Sequence, residues 1–486
     1  MKTNRLLTRR DCLNRLGTIG AALVALDMPH AQAVAAAARG LASSRPASSR
    51  FKVLSRHVFE APLIDTHEHL VEEKDRLTKP APPRICCDDW ALLFSHYLNS
   101  DLLVAGMPKA DLDRFLSPEL DSKAKWQLLA PHWPAVKNTG YGQAVRLAIR
   151  ELYGVEDLSA TTISKVQAGY EKTRRAGFYH RILREYAGIE SCQVNHLGQE
   201  PFRQSDMPEL LMQDISIVGM FAGPNIRQYA PATGIEVKTL SDWHRVIQWW
   251  FDHYSKYAVA VKSQNAYSRD IDYVRVPPEK AEPVFDRVLR KEGVSTEERK
   301  LLEDHLFWHA VDQATAHDLP VKLHTGYYAG QNSMPLSRLQ RNAGSAAELC
   351  RLSPDTRFVF MHLCYPYYEE LLAVAKQWTN AHVDMCWSWI INPLAAQEYL
   401  KKHIVTAPIS KLLPFGGDYI PVEPVLGHAI IARRGIAQAL SELVEERWLT
   451  LSDAVALVNP ILNGNARKLF QLSKKMQALR TAEPAQ

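Results

Sequence analysis

Two histidines stand one residue apart in Leu-Ile-Asp-Thr-His-Glu-His-Leu, as His67 and His69. On a β-strand, side chains at i and i+2 share a face. Two imidazoles on one face can grip a metal ion, whereas they pack a core poorly. Further along, His324, His362 and Asp418 each follow a short apolar run, and Lys262 sits inside one. A divalent ion such as Zn²⁺ takes imidazole nitrogen and carboxylate oxygen, and a catalytic site leaves a position open for water. The sequence therefore predicts one such ion, or two, held by His67, His69, His324 and Asp418. The ion would lower the pKa of bound water from about 15.7 toward about 7. Asp418 would then take the proton from that water, and His362 would polarise a substrate carbonyl or steady an oxyanion. Lys262 has three readings: carboxylated and bridging two metals, binding a substrate carboxylate, or forming a buried ion pair.

For these residues to meet, the apolar runs must be strands that end at one place. Eight runs qualify: 63–69, 189–195, 215–221, 258–263, 320–326, 358–364, 381–387 and 412–418. Apart from a long helical stretch over about 72–187, helical periodicity separates them, as in Ser-Asp-Trp-His-Arg-Val-Ile, which Ser241 would cap. Ser117 is expected to cap a helix within the long stretch. Continuous apolar strands alternating with helices argue a parallel sheet, and eight units argue an α/β fold of the (β/α)₈ TIM-barrel type. Residues 72–187 would be a large helical insertion after strand 1, within a barrel domain spanning 51–486.

The mouth of such a barrel would also hold Tyr327, Tyr328, Tyr365, Trp387 and Trp389, whose rings suit a flat or sugar-like substrate or simple packing. Arg269, Arg338 and Arg341 could pair with an anionic substrate group.

The chain has 486 residues and a formal charge of +5. Residues 1–33 contribute +3, leaving +2 for the rest, a balance that gives no sign of nucleic-acid binding. Those first residues carry adjacent Arg9 and Arg10 before the apolar run Leu-Gly-Thr-Ile-Gly-Ala-Ala-Leu-Val-Ala-Leu and an Ala-Gln-Ala at 31–33. They read as a twin-arginine-type signal peptide directing export to the periplasm, although Cys12 stands where a large apolar residue is preferred. The run is too short to span a membrane. Residues 34–50 read as a linker. Of the seven cysteines, none falls in a zinc-ribbon spacing, and Cys364 and Cys386 read as buried thiols. Nothing in the sequence sets an oligomeric state, and the partner expected is a small-molecule substrate.

The residues of the site resemble the amidohydrolase superfamily, in its amidohydrolase-related ("amidohydrolase 2") branch. The matching segments are Asp-Thr-His-Glu-His-Leu on strand 1, Lys-Leu-His-Thr-Gly-Tyr on strand 5, Phe-Met-His-Leu-Cys-Tyr-Pro on strand 6 and Phe-Gly-Gly-Asp-Tyr-Ile-Pro on strand 8, with Asn-Pro-Ile-Leu-Asn-Gly-Asn-Ala-Arg-Lys-Leu-Phe as a closing helix. The resemblance spans roughly 60–472. It implies a barrel with a one- or two-metal site, at which His67, His69, His324 and Asp418 lie near metal and His362 near substrate or metal. Three chemistries belong to the branch: hydrolysis of amides, esters or lactones, decarboxylation of aromatic acids, and uronate isomerisation. His-x-His on strand 1, in place of Glu-x-His, counts against decarboxylation. The helical insertion is similar to that of uronate isomerases, but Tyr-Ile-Pro follows Asp418 where they usually place an arginine. The expectation is a metal-dependent hydrolase of a small amide, ester or lactone, with a sugar-acid isomerase and a non-catalytic binding barrel as alternatives.

Overall fold

The computed structural model describes residues 49–78, 84–198, 200–330 and 333–481. The expected signal peptide and nearly all of the expected linker lie outside the described residues. Chain 49–50 already belongs to helix α1 (Ser49–Glu60).

Eight short strands carry the site. They are β1 (Leu63–Glu68), β2 (Ile189–Val194), β3 (Leu211–Gln213 and Ile215–Ser216, interrupted at Asp214), β4 (Val261–Ser263), β5 (Val321–His324), β6 (Phe358–Met361), β7 (Ala381–Asp384) and β8 (Leu412–Leu413). Every neighbouring pair is parallel. Backbone bonds join what remains: Asp214 N donates to Val194 O on one side of β3, and Ile215 N to Ala260 O on the other. Thr66 N donates to Phe415 O, so β1 meets the chain leaving β8. The chain folds as an α/β barrel of the TIM type. Its strands are almost wholly buried, as a sheet covered by helices requires.

The third strand differs from expectation. The apolar run at 215–221 is strand only at Ile215–Ser216, and Val218–Phe221 is a helical turn. The strand begins earlier, in Leu-Leu-Met-Gln-Asp, where Gln213 and Asp214 break the apolar pattern. Inside the barrel Asp214 meets Lys322 Nζ at 2.9 Å, and that nitrogen also donates to Thr66 O at 2.8 Å. A polar pair inside a barrel disguises its strand.

Between β1 and β2 the described residues form helices only, among them α2 (Gly140–Tyr153), N-capped by Thr139 and ended by left-handed Gly154. Two expected caps move. Asp121, not Ser117, caps the helix Ser122–Leu129, accepting from Ala124 N at 2.8 Å. Thr239, not Ser241, opens Leu240–Tyr254 through a reciprocal capping box with Asp242. In both cases the residue that caps stands just outside the apolar repeat, where the first free N–H groups point. Among the described residues, no helix is long and apolar enough to cross a membrane.

Candidate metal centre

Sites on such barrels form at the C-terminal ends of the strands. The end of β1 brings up His67 and His69, and the glycine pair after β8 brings up Asp418. His67 Nε2 and His69 Nε2 are 3.3 Å apart, and they lie 3.1 and 3.3 Å from Asp418 Oδ1. His69 Nδ1 is 2.9 Å from Asn195 O, which only accepts, so Nδ1 holds the proton and Nε2 presents its lone pair. Three donor atoms facing one another at 3.1–3.3 Å repel unless a proton or a cation lies among them. Tetrahedral ligands at about 2.0–2.2 Å from one ion stand about 3.3–3.6 Å apart. The donor set and its spacing fit a divalent metal.

The electrostatics agree. Burial pushes His67 and His69 well toward neutral imidazole, with the Lys262 ammonium adding to it. Burial alone would raise the Asp418 carboxyl, but the His67 hydrogen bond and the surrounding imidazoles outweigh it and hold the group well below the usual range. Two neutral nitrogens and one carboxylate are the forms that ligate.

His362 lies behind Asp418. Its Nδ1 is 3.1 Å from Cys386 O, leaving a lone pair on Nε2, which is buried and without a hydrogen-bond partner among the described residues. Burial keeps this ring neutral, with a pKa lowered to about 4. His362, Cys386 and Asp418 form a second group with donor atoms within 4.8 Å of one another. Burial raises the Cys386 thiol well above its ordinary value, which makes the sulfur a poor ligand. A one-metal centre at His67, His69 and Asp418 is therefore the better formed of the two.

His324 stands apart from both groups. It ends β5 with its ring 4.3 Å from that of His362, but its Nε2 donates to Tyr327 O at 2.9 Å. The sequence expectation of four donors around one ion becomes three in this geometry, with His324 backing His362. Lys262 is buried beside Asp418 and the histidines. Burial lowers its ammonium to about 8 despite the pull of Asp418. Among the described residues no carboxylate lies within ion-pair distance of Lys262, which argues against the ion-pair reading.

The expected substrate-binding residues divide. Trp387 is fully buried, stacks on Tyr97 at 4.4 Å and meets the His362 ring edge-on at 5.6 Å. Tyr327 and Tyr365 are half-buried near it. Trp389 is core, its Nε1 donating to Pro414 O. Arg269 is held by Asp304 at 2.6 Å, Glu303 at 3.1 Å and Asp272 at 3.2 Å, so it is already neutralised. Arg338 donates to Tyr267 O at 3.0 Å, and Arg341 pairs with Asp270 at 2.9 Å. These three arginines tie loops together.

Sequence reasoning missed His96 and Tyr97, which come from the helical insertion. The Tyr97 hydroxyl donates to Asp418 O, its φ is +78°, and its ring stacks on His96 at 4.2 Å. Ile420 N donates to His96 Nδ1 at 3.2 Å. It also missed a cavity of about 210 Å³ beside His69, lined in part by Glu72, Arg84, His196 and Arg203. Arg84 donates to Leu197 O and has no carboxylate partner among the described residues. Burial, then Arg203 and Arg84, lower His196 to about 4.

Residues 251–472 match the family model for Amidohydrolase. Uronate isomerase of Corynebacterium efficiens is 22% identical over 462 residues, covering 86% of this chain and 95% of that protein. The family match takes in the strand ends that carry His324, His362 and Asp418. Protein fluG of Emericella nidulans is 26% identical over 200 residues, 39% of this chain but only 22% of that protein. Among solved structures, uronate isomerase of Thermotoga maritima superposes with a TM-score of 0.70 at 14% identity, covering 87% of this chain and 97% of its own. Glucuronate isomerase of Caulobacter crescentus gives 0.69 at 15% identity, covering 91% and 98%. A putative metal-dependent hydrolase of Lactobacillus casei gives 0.60 at 18% identity, covering 87% and 98%. At these identities the superpositions establish the barrel fold and leave the reaction open.

Proposed function

We propose that this chain is an amidohydrolase-superfamily enzyme, a metal-dependent isomerase of a small sugar acid. This revises the hydrolase expected from the sequence. The observation that carries it is the cavity beside His69, where, among the described residues, Arg84 has no carboxylate partner and Arg203 has only Asp75, 3.9 Å away. A substrate carboxylate can settle there with its other end at the His67–His69–Asp418 cluster. The similarity to uronate isomerases, which runs through the helical insertion, supports the same reading.

Aldose–ketose interconversion moves one hydrogen from C2 to C1 and one from the C2 hydroxyl to the C1 oxygen, with no net water. A bound divalent ion would polarise the carbonyl and hydroxyl oxygens. His67, His69 and Asp418 would hold that ion. The bare Nε2 of His362 can take a proton and return it, and Tyr97 and Trp387 wall the site against solvent. Arg84 orients the acid end.

Incubating the metal-loaded protein with D-glucuronate or D-galacturonate and following ¹H NMR tests the assignment. New ketose signals are expected, and an Arg84→Gln variant should raise KM about tenfold, the worth of one charge-assisted hydrogen bond. Unchanged spectra with both sugar acids would discard the isomerase reading. Hydrolysis of a small ester, amide or lactone at the same centre is the second reading. Its support is the family match over 251–472 and the Tyr-Ile-Pro that follows Asp418 in place of an arginine.

We also propose, from Arg9, Arg10 and the apolar run behind them, that the enzyme works in the periplasm. Cell fractionation should recover the full chain there and an Arg9→Lys/Arg10→Lys variant in the cytoplasm. Equal distribution of the two would refute it.

A further inference from the structure

Three consecutive backbone N–H groups follow β8, and each ends on a residue of β1. Gly417 N donates to Asp65 Oδ1 at 3.2 Å, Asp418 N to His67 O at 2.9 Å, and Tyr419 N to Glu68 Oε2 at 2.6 Å. Asp65 Oδ1 also accepts from His67 N at 3.1 Å, so one carboxylate oxygen touches the backbone of both ligand-bearing segments. Asp418 lies between the first and third of these bonds with φ at +62°, a left-handed conformation that aspartate, asparagine and glycine adopt more readily than other residues. Gly417 has no room for a side chain: a Cβ there would stand 1.9 Å from Glu68 Oε1 and 3.3 Å from Asp65 Oδ2. The two carboxyl groups touch each other beneath that glycine, and among the described residues no N–H or O–H donor reaches Asp65 Oδ2 or Glu68 Oε1 from elsewhere. Both residues are fully buried.

Buried carboxyl groups are costly, and among the described residues neither of these forms an ion pair with a cation. Their hydrogen bonds go to the one turn whose conformation sets where Asp418 Oδ1 falls. We propose that Asp65 and Glu68 are positioning residues that clamp the Gly417–Tyr419 turn onto β1, so that Asp418 Oδ1 meets His67 Nε2 and His69 Nε2 at metal-ligand spacing. Glu68 holds the far side of Asp418 and Asp65 the near side. Glu68, set between the two histidines in sequence, thus acts through the strand next to its own. The assignment rests on the metal centre described above and goes beyond it, because it gives roles to two residues that ligate nothing.

The test is titration of the metal-free full-length protein with Co²⁺ and with Zn²⁺, read by calorimetry and by the visible Co²⁺ bands, on wild type, Asp418→Asn, Glu68→Ala, Glu68→Asp and Glu68→Gln. Far-UV circular dichroism checks folding. Wild type should bind, and Asp418→Asn should lose that binding. Glu68→Ala should weaken Kd about 10- to 100-fold and shift the Co²⁺ bands, since Asp418 is freed to turn away. Glu68→Gln should recover affinity to within about fivefold, because its amide oxygen still accepts from Tyr419 N and its amide group still meets Asp65. If Glu68→Ala fails to fold, Glu68→Asp replaces it, being one carbon too short to reach Tyr419 N. Wild-type Kd and Co²⁺ bands in the folded Glu68 variants would overturn the clamp while leaving the metal centre standing. Undiminished binding by Asp418→Asn would overturn the metal centre itself.

Discussion

Replacing Asp418 by asparagine is expected to cut kcat/KM on the order of 10³-fold or more and to strip the bound divalent ion. Asp418 Oδ1 faces both His67 Nε2, at 3.1 Å, and His69 Nε2, at 3.3 Å. Its neighbours hold the carboxyl far below its usual pKa, so the side chain is an anion throughout the physiological range. Asparagine keeps the shape and removes the charge. It also offers an NH₂ group which, if turned toward the histidines, occupies the position of the ion. The φ of +62° is tolerated by asparagine as well as by aspartate, so the fold should persist. Metal content of protein purified without chelator, measured beside turnover and a thermal melt, checks this. A His324→Ala variant is the internal comparison: its Nε2 is spent on Tyr327 O, so it should keep its metal while losing turnover through His362. Full metal content and full turnover in Asp418→Asn would remove the basis for any metal chemistry at this mouth.

The candidate metal donors were legible because a histidine pair at i, i+2 on a strand has few other uses, and because a charged residue after two glycines at a barrel mouth needs a partner. His324 shows the limit of that logic. Its place at a strand end is visible in sequence, but which way its ring turns depends on Tyr327 O, a backbone atom that sequence does not position. Arg269 illustrates the same limit from the other side. It lies in a loop after a strand, as a substrate-binding arginine would, yet Asp304 and Glu303, from a helix some 34 residues on, neutralise it. Asp65 and Glu68 did leave a signal. Two acids within a six-residue strand buried along its whole length must be bonded to something. His96 and Tyr97 left none, because they reach the site only through the fold of the insertion.

The strand order followed from apolar runs, and the runs overstated the strands. Those read as six or seven residues pair over only two to four at β4 to β8, and the remainder becomes the loops that carry His362 and Asp418. Non-glycine residues with positive φ collect there, at His362, Leu363, Cys364, Trp387 and Asp418. Such conformations have no signature in hydropathy. They also explain why the ends of the runs look strand-like in composition while the backbone turns away.

The error at β3 points to the most destabilising single change expected in this protein. Lys322 and Asp214 are both fully buried side chains, and Lys322 Nζ contacts Asp214 Oδ2 at 2.9 Å, Asp214 Oδ1 at 3.1 Å and Thr66 O at 2.8 Å. One ammonium thereby ties β5 to β3 and β1 across the barrel interior, and all three of its protons find acceptors. Lys322→Met preserves the stem and removes the charge. Asp214 is then left as a buried carboxyl without a cation, which costs about 3–5 kcal/mol. Pairing it with Asp214→Leu removes the orphan and should recover most of that loss, since buried ion pairs are often replaceable by apolar residues of similar size. Thermal and denaturant unfolding of the two single variants and the double variant measures the coupling. Additive losses in the double variant would mean that the pair does not act as a unit, and that the interruption of β3 at Asp214 has another cause.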